Sequence, residues 1–332
     1  MPEYSRRTVN RHLMAGMLSM LSAPLWAGSS TTTPRVQSPL NNIAFSSWCF
    51  HMPLWRGEMK ARELPEIARS LEVNALEWTA KTFRDLRGGQ DAMYKAPPTA
   101  FFQELRLASD NAGISNKVLN VGGPFFLAGV TDAEQQKALA YIMQYVEPAQ
   151  MLGCEILRTE LYFDGEHKPG WEQEAKKRAL DGLHALLDKT EGSGLVINIE
   201  NHHGISSQPE WLVELFKSVD NARFGLTVDT NNFRIDQHNP YNRDMESFPQ
   251  YVDRYRGLDM LMPLANWLSA KFYAFDSTGY EISMNYPRIM EIVFNSGYTG
   301  FISIEYEGAG DPLEGVRQSV EMLRKMRTHY LS

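Results

Sequence analysis

Eight short apolar runs, each followed by an amphipathic segment, recur through about 290 residues of this chain. The runs fall near residues 43–48, 73–78, 117–121, 155–160, 195–200, 224–229, 270–275 and 300–305. Helical spacing of apolar residues lies between them, at about 61–71, 99–112, 132–152, 171–191, 209–219, 249–265, 286–296 and 313–328. Glycine-containing turns such as Asn111-Ala-Gly113 and Asn295-Ser-Gly297 end helices before the next strand. Eight strand–helix alternations predict an α/β fold, a single (β/α)8 TIM barrel over residues 42–332. An open doubly wound sheet is the runner-up. No Gly-rich phosphate loop follows the first run, which weakens its dinucleotide-binding version.

Composition narrows the partners. The chain has 332 residues, 43% hydrophobic and 22% charged, enough to build a sizeable core. Its formal charge is −7 and no Lys/Arg-rich run interrupts it, so no nucleic-acid partner is expected. Ser5-Arg6-Arg7-Thr8-Val9, the apolar stretch Leu13 to Trp26 and the small residues Ala27-Gly28-Ser29-Ser30 read as a twin-arginine export signal peptide over residues 1–27. An ordinary secretory signal or an uncleaved anchor is the plainer reading. The apolar stretch is short for a membrane span and contains Pro24, so no stable span is expected in the mature chain. Residues 28–41 read as a flexible leader, and the mature protein as periplasmic. Cleavage would leave 30 basic and 39 acidic residues, a formal charge of −9. Cys49, in the first predicted strand, and Cys154, at the start of the fourth, are expected as buried free thiols rather than a disulfide. No zinc-type cysteine spacing is present. The oligomeric state is not legible.

Three of the runs end in a carboxylate: Glu200 in Leu195-Val-Ile-Asn-Ile-Glu200, Asp229 in Phe224-Gly-Leu-Thr-Val-Asp229, and Glu305 in Gly300-Phe-Ile-Ser-Ile-Glu305. A carboxylate closing a buried strand is costly unless a metal, a cation or a hydrogen-bond network receives it. In a parallel barrel the C-terminal strand ends converge on one face, where active sites lie. Three such residues at one end therefore predict a shared site.

These strand ends carry a resemblance. Ile199-Glu-Asn-His-His-Gly204, Val228-Asp-Thr-Asn-Asn232 and Ser303-Ile-Glu-Tyr-Glu-Gly308, in this order and placement, resemble the xylose-isomerase-like barrel superfamily of sugar isomerases and epimerases, which has an apurinic-site endonuclease branch. The resemblance runs from about Asn42 to Leu331 and implies a divalent metal held from strands 5 to 8. Glu200, Asp229 and Glu305 are the implied ligands. Where the family has a strand-7 histidine, this chain has Tyr273, three residues before Asp276, with Lys271 two residues deeper on the same face. Asn232 stands where strand 6 often carries another histidine. The remaining oxygen-rich set suits Mn, Mg or Ca better than zinc. Alternatively, Lys271 itself neutralises the carboxylates without an ion.

Further candidates line the predicted mouth. His202 and His203 follow Glu200, and Arg158 and Glu160 close strand 4, either toward substrate or as a structural ion pair. Trp48 and His51 stand at the first strand–loop junction. Together with Asn232, Tyr273 and Asp276 these form the expected substrate-binding set. Glu77 ends strand 2 and is read as supporting the site. For any one aromatic residue of these loops, packing of loop on barrel is the favoured role. The expected function is a periplasmic sugar isomerase or epimerase that removes a proton next to a carbonyl, with Glu200, Glu305 and Lys271 catalytic and a small carbohydrate as substrate. A lyase acting on a keto-sugar or keto-glycoside through the same enediolate is the close variant. A non-catalytic sugar-binding protein is the alternative from another class.

Overall fold

Side-chain parity along each strand decides which of two cores a residue joins. In the computed structural model, which describes residues 39–83, 95–123, 125–163, 165, 168–235 and 250–331, eight parallel strands alternate with helices. The strands are β1 (Ile43–Ser46), β2 (Ala75–Thr79), β3 (Ser115–Asn120), β4 (Ile156–Thr159), β5 (Val196–Glu200), β6 (Phe224–Asp229), β7 (Ala265–Phe272) and β8 (Ile302–Tyr306). They pair in sequence order, and β8 returns to β1 in the register Ile43↔Ile302 to close the barrel. The expected (β/α)8 barrel is thus the fold.

One parity of each strand faces the helices. Phe45, Leu76, Leu119, Ile197, Leu226 and Ile304 are fully or almost fully buried in that outer core, each worth about 1.5–3 kcal/mol of apolar burial. The other parity faces the barrel axis. There Ala44, Ala75, Val118, Ile156 and Trp267 form a small apolar plug at the N-terminal end. Continuing along the same parity toward the C-terminal ends, the interior turns polar and then charged: Glu77, Arg158, Asn198, Thr227 and Ser303, followed by Glu200, Asp229, Lys271 and Glu305, all buried. This is why the runs alternate apolar and polar residues, as in Val196-Ile-Asn-Ile-Glu200.

The helices are α1 (His51–Arg56), α2 (Leu64–Ser70), α3 (Thr99–Ala112), α4 (Asp132–Met143), α5 (Val146–Leu152), α6 (Trp171–Lys189), α7 (Pro209–Val219), α8 (Arg254–Leu261), α9 (Tyr286–Asn295) and α10 (Pro312–Leu331). α3 matches its expected bounds and ends at Gly113, whose φ of 69° takes the left-handed turn expected of a glycine there. α4 starts with a capping box between Thr131 and Glu134.

Four local expectations are corrected. The single helix expected over 132–152 is split between α4 and α5, because Pro148 has no N–H to give the carbonyl four residues back. The helix expected to reach residue 265 ends at Leu261. Pro263 lies in a following 3-10 turn, and β7 begins at Ala265 rather than 270. β7 also stops at Phe272, so Tyr273 to Asp276 lie beyond it. β1 ends at Ser46, whose hydroxyl accepts from the Trp48 N–H at 3.2 Å and turns the chain into a 3-10 turn, Ser47–Phe50. Cys49 therefore sits in that turn, not in the strand. Cys49 and Cys154 are both buried free thiols, and burial pushes both pKa values up. The expected signal over residues 1–27 and the leader as far as residue 38 lie outside the described residues. Among the described residues no helix is long and apolar enough to cross a membrane.

Candidate active site

The strand register brings the three carboxylates together. One oxygen from each of Glu200, Asp229 and Glu305 lies within 4.8 Å of the others, and all three side chains are buried. Glu305 is in register with Lys271 on the adjacent strand, so the two side chains point the same way and pair. Lys271 Nζ also lies 3.2 Å from Glu307 and 3.8 Å from Asp229. It therefore leans to the β8 side of the cluster. Ser269 donates to Glu305 at 2.9 Å. Asp229 Oδ1 accepts the backbone N–H groups of Asn231 and Asn232 at 2.7 and 2.9 Å.

Arg158 crosses the barrel interior below this cluster. It donates to Glu77 at 2.5 Å and to Glu200 at 2.6 Å. Glu77 also accepts from Trp267 and Ser303, both at 2.8 Å. The pairing expected as one alternative, Arg158 with Glu160, is not formed. Both residues face the axis, but Glu160 is two positions farther along and pairs with Lys81, 3.0 Å from each carboxylate oxygen.

These surroundings pull the carboxyl groups apart. Burial raises the Glu200 pKa well above the usual carboxylate range, and the neighbouring Asp229 and Glu305 charges add to that against Arg158. Burial, opposed by Lys271, pushes Asp229 up to about 6. For Glu305 burial is overcome by Lys271 and Arg158, which hold it down to about 2. Burial likewise opposes ionisation of Glu160, but Lys81 and His202 bring it to about 2.

The site has room for a hard cation. Glu200 Oε1 and Asp229 Oδ2 are buried and have no hydrogen-bond partner among the described residues. Five carboxylates (Glu77, Glu200, Asp229, Glu305 and Glu307) meet two cations, Arg158 and Lys271, in this network of described residues. A divalent ion held by Glu200, Asp229 and Glu305 would satisfy the orphaned oxygens and offset most of that excess. The donor set therefore fits a metal of the Mn, Mg or Ca type.

The remaining candidates divide. Asn232 is buried, and its Nδ2 lacks a hydrogen-bond partner among the described residues. Tyr273 is half-buried beside Lys271 and accepts from Asn231 at 2.9 Å; burial pushes its phenol up to about 12, so it stays neutral. His202 is held by the Tyr162 hydroxyl at Nδ1, and its Nε2 lies 4.0 Å from Glu160. Burial lowers its pKa to about 3, so it is neutral. His203 has φ 54° and ψ 166°, a backbone region costing a non-glycine residue about 1–3 kcal/mol. Ser206 offsets this by donating to the His203 carbonyl and accepting from the His202 N–H, both at 3.0 Å. The two imidazoles lie 4.7 Å apart. Trp48 donates to Glu307 at 2.7 Å and stacks on His51 at 4.4 Å, forming an aromatic wall beside Lys271. Asp276 is not brought to the site. It is exposed and orders its own turn by accepting from Thr278 and Tyr280.

Lys81, Tyr162 and Ser269 escaped the reading of the sequence. Lys81 gave no strand signal, because it stands in the 3-10 turn Ala80–Phe83 that follows β2, where the two-residue period no longer holds. Tyr162 did have a signal, since it continues the Arg158–Glu160 parity past the end of β4.

Comparison with known proteins places this arrangement. A C-glycoside deglycosidase alpha subunit from Arthrobacter globiformis is 29% identical over 150 residues, 43% of this chain and 42% of that protein; the match thus spans less than half of either. The structure of a 3-keto-D-glucoside 4-epimerase from E. coli superposes over 80% of this chain and 94% of its own, with a TM-score of 0.57 and 13% identity. A xylose isomerase-like TIM barrel protein from Mycobacterium smegmatis, in complex with magnesium, superposes over 88% of this chain and 98% of its own, with a TM-score of 0.58 and 18% identity. At these identities the structural likeness concerns the fold alone. Residues 65–326, which carry all three strand-end carboxylates, match the profile of one family, and the chain belongs to the xylose isomerase-like TIM barrel family.

Proposed function

We propose that this protein is a sugar isomerase or epimerase that removes a proton from the carbon next to a carbonyl and returns it elsewhere. The observation that carries this reading is the buried trio Glu200, Asp229 and Glu305, with two oxygens that have no hydrogen-bond partner among the described residues. Glu200 and Glu305 come from β5 and β8, which are not neighbours in the barrel, so a sugar between them meets a carboxylate on each side. One takes the proton from carbon; the other returns it to the opposite face or to the adjacent carbon. Lys271 keeps Glu305 ionised and donates toward the developing enolate oxygen. Asn232, Tyr273, Trp48, His51, His202 and His203 bind and enclose the sugar. Glu200, Asp229 and Glu305 would hold a divalent metal, which supplies Lewis-acid polarisation of the carbonyl. The direct test is incorporation of solvent deuterium at the carbon beside the keto group, measured over a panel of keto-sugars. Complete absence of exchange with every sugar would sink this reading.

A second reading is favoured by the deglycosidase relative. The same enolate, formed beside a keto group, expels a substituent from the next carbon instead of being reprotonated. Release of the free aglycone from a keto-glycoside distinguishes this elimination from epimerisation.

The metal has its own expected result. Protein purified without chelator should contain about one Mn, Mg or Ca per chain, and chelation should abolish exchange. Full exchange by metal-free protein would instead make Lys271 the resident cation.

Export through the twin-arginine route, with a mature periplasmic protein starting near Gly28, belongs to the same proposal. It rests on Arg6-Arg7 and the short apolar stretch after them. Replacing Arg6 and Arg7 together by Lys should retain the protein in the cytoplasm, as fractionation would reveal. Undiminished delivery to the periplasm would remove the twin-arginine reading.

A further inference from the structure

Glu160 and Lys81 form a buried charged pair that the proton transfer above does not use. Glu160 is 5% exposed and the Lys81 side chain 16%. A buried ion pair is a poor device for stability, because desolvation takes back most of the attraction. Yet the surroundings are built to keep this one. The Glu160 carboxylate lies against the backbone of Gly122, where an added Cβ would come within 2.1 Å of Oε1, so only glycine leaves room for it. The Lys81 carbonyl accepts from Trp55 at 2.7 Å, which anchors the backbone that carries the ammonium group. On the other side stands His202, neutral and fixed by Tyr162.

The position also has a consequence. Glu160 follows the end of β4 with the inward parity of Arg158, about 6.6 Å farther toward the mouth and level with Glu200 by the β4–β5 register. Arg158 is bonded to Glu200. The pair therefore flanks Glu200 on the β4 side of the mouth, across the barrel from Glu305 on β8. Each Glu160 oxygen receives one hydrogen bond from Lys81 and keeps further acceptor capacity.

We propose that Glu160 and Lys81 form a diol-reading subsite: two neighbouring hydroxyls of the sugar, on carbons remote from the carbonyl, donate to the Glu160 carboxylate that Lys81 orients. Glu160 is the contact residue and Lys81 the positioning residue. This inference rests on the sugar-enzyme reading but concerns binding, not proton transfer. It makes the protein selective for sugars whose far side carries an intact pair of adjacent hydroxyls.

The test uses the full-length protein, D-fructose, whose C4 and C5 hydroxyls are adjacent and remote from its C2 carbonyl, and its 4-deoxy and 5-deoxy forms, with binding followed by tryptophan fluorescence. Wild-type protein should bind the parent sugar roughly tenfold to a hundredfold more tightly than the form lacking either hydroxyl of the pair, the range expected for a hydrogen bond to a charged group. Glu160→Gln and Lys81→Met should each erase most of that preference, and Lys81→Arg should restore part of it. A merely structural pair would weaken binding of parent and deoxy sugars alike and leave the preference intact, which would overturn the inference. So would wild-type protein that distinguishes the parent sugar from none of its deoxy forms. Because deuterium exchange is read separately, a retained preference without any exchange would sink the proposed reaction and leave the subsite standing.

Discussion

Glu200→Gln and Glu305→Gln should each lower turnover by about a hundredfold or more, the usual cost of losing a positioned acid or base. Glutamine keeps the size and one acceptor oxygen, so both variants should fold. Glu305→Gln keeps its oxygen for Lys271 and turns its amide N–H toward the Ser269 hydroxyl, which can accept, and Glu200→Gln still accepts from Arg158. If both groups move protons, the same variants should also slow exchange of the carbon-bound proton with solvent. Unchanged exchange in both would transfer the proton to another residue, with Glu160 and the histidines at 202 and 203 next in line. Metal content measured on each variant separates loss of a ligand from loss of a base. A variant that retains its metal yet loses exchange has lost the proton carrier.

Arg158→Met should be the most destabilising single change in the barrel interior, by about 3–5 kcal/mol, because it strands two buried carboxylates at once. Arg158 is the link between Glu77 and Glu200, and all three are buried. Denaturant midpoints should fall accordingly. The deficit should narrow as pH falls from about 8 to about 5, since a buried carboxylate without its counter-ion takes up a proton in the folded state. Its folded pKa then lies above the unfolded one, so its stabilising share is present at low pH and lost as pH rises. Adding Glu77→Gln to Arg158→Met should recover part of the loss, because one stranded charge is gone. Equal stability of wild type and Arg158→Met at pH 8 would contradict the network described above.

Much of the architecture could be read without coordinates. Eight alternations of short apolar runs with amphipathic segments already favoured a parallel barrel over an open doubly wound sheet, and eight strands close in that order. The carboxylates of Glu200, Asp229 and Glu305 were legible for a local reason. Each stands at the end of a run whose other residues must be buried, and the C-terminal ends of parallel strands share a face. The strand-7 boundary was less legible, because Ala265 to Ser269 fit a helical spacing as well as a strand, and only pairing with β6 and β8 decides between them. Asp276 illustrates the same limit from the other side: its place in the sequence suggested a site residue, but β7 ends too early to carry it there.

What the sequence determined by itself was the alternation, the parity within each strand, and the identity of the groups that end them. Which charge meets which was decided by tertiary structure. Arg158 chose Glu77 and Glu200, 81 and 42 residues away, over Glu160 two positions along the chain, just past the end of its strand. Glu160 in turn found Lys81, 79 residues earlier. Parity puts all of these side chains inside the barrel, but their depth along the axis follows from the stagger between strands, such as Glu77↔Val118 and Arg158↔Asn198. That stagger is set by closure of the whole sheet, a condition that no single segment contains.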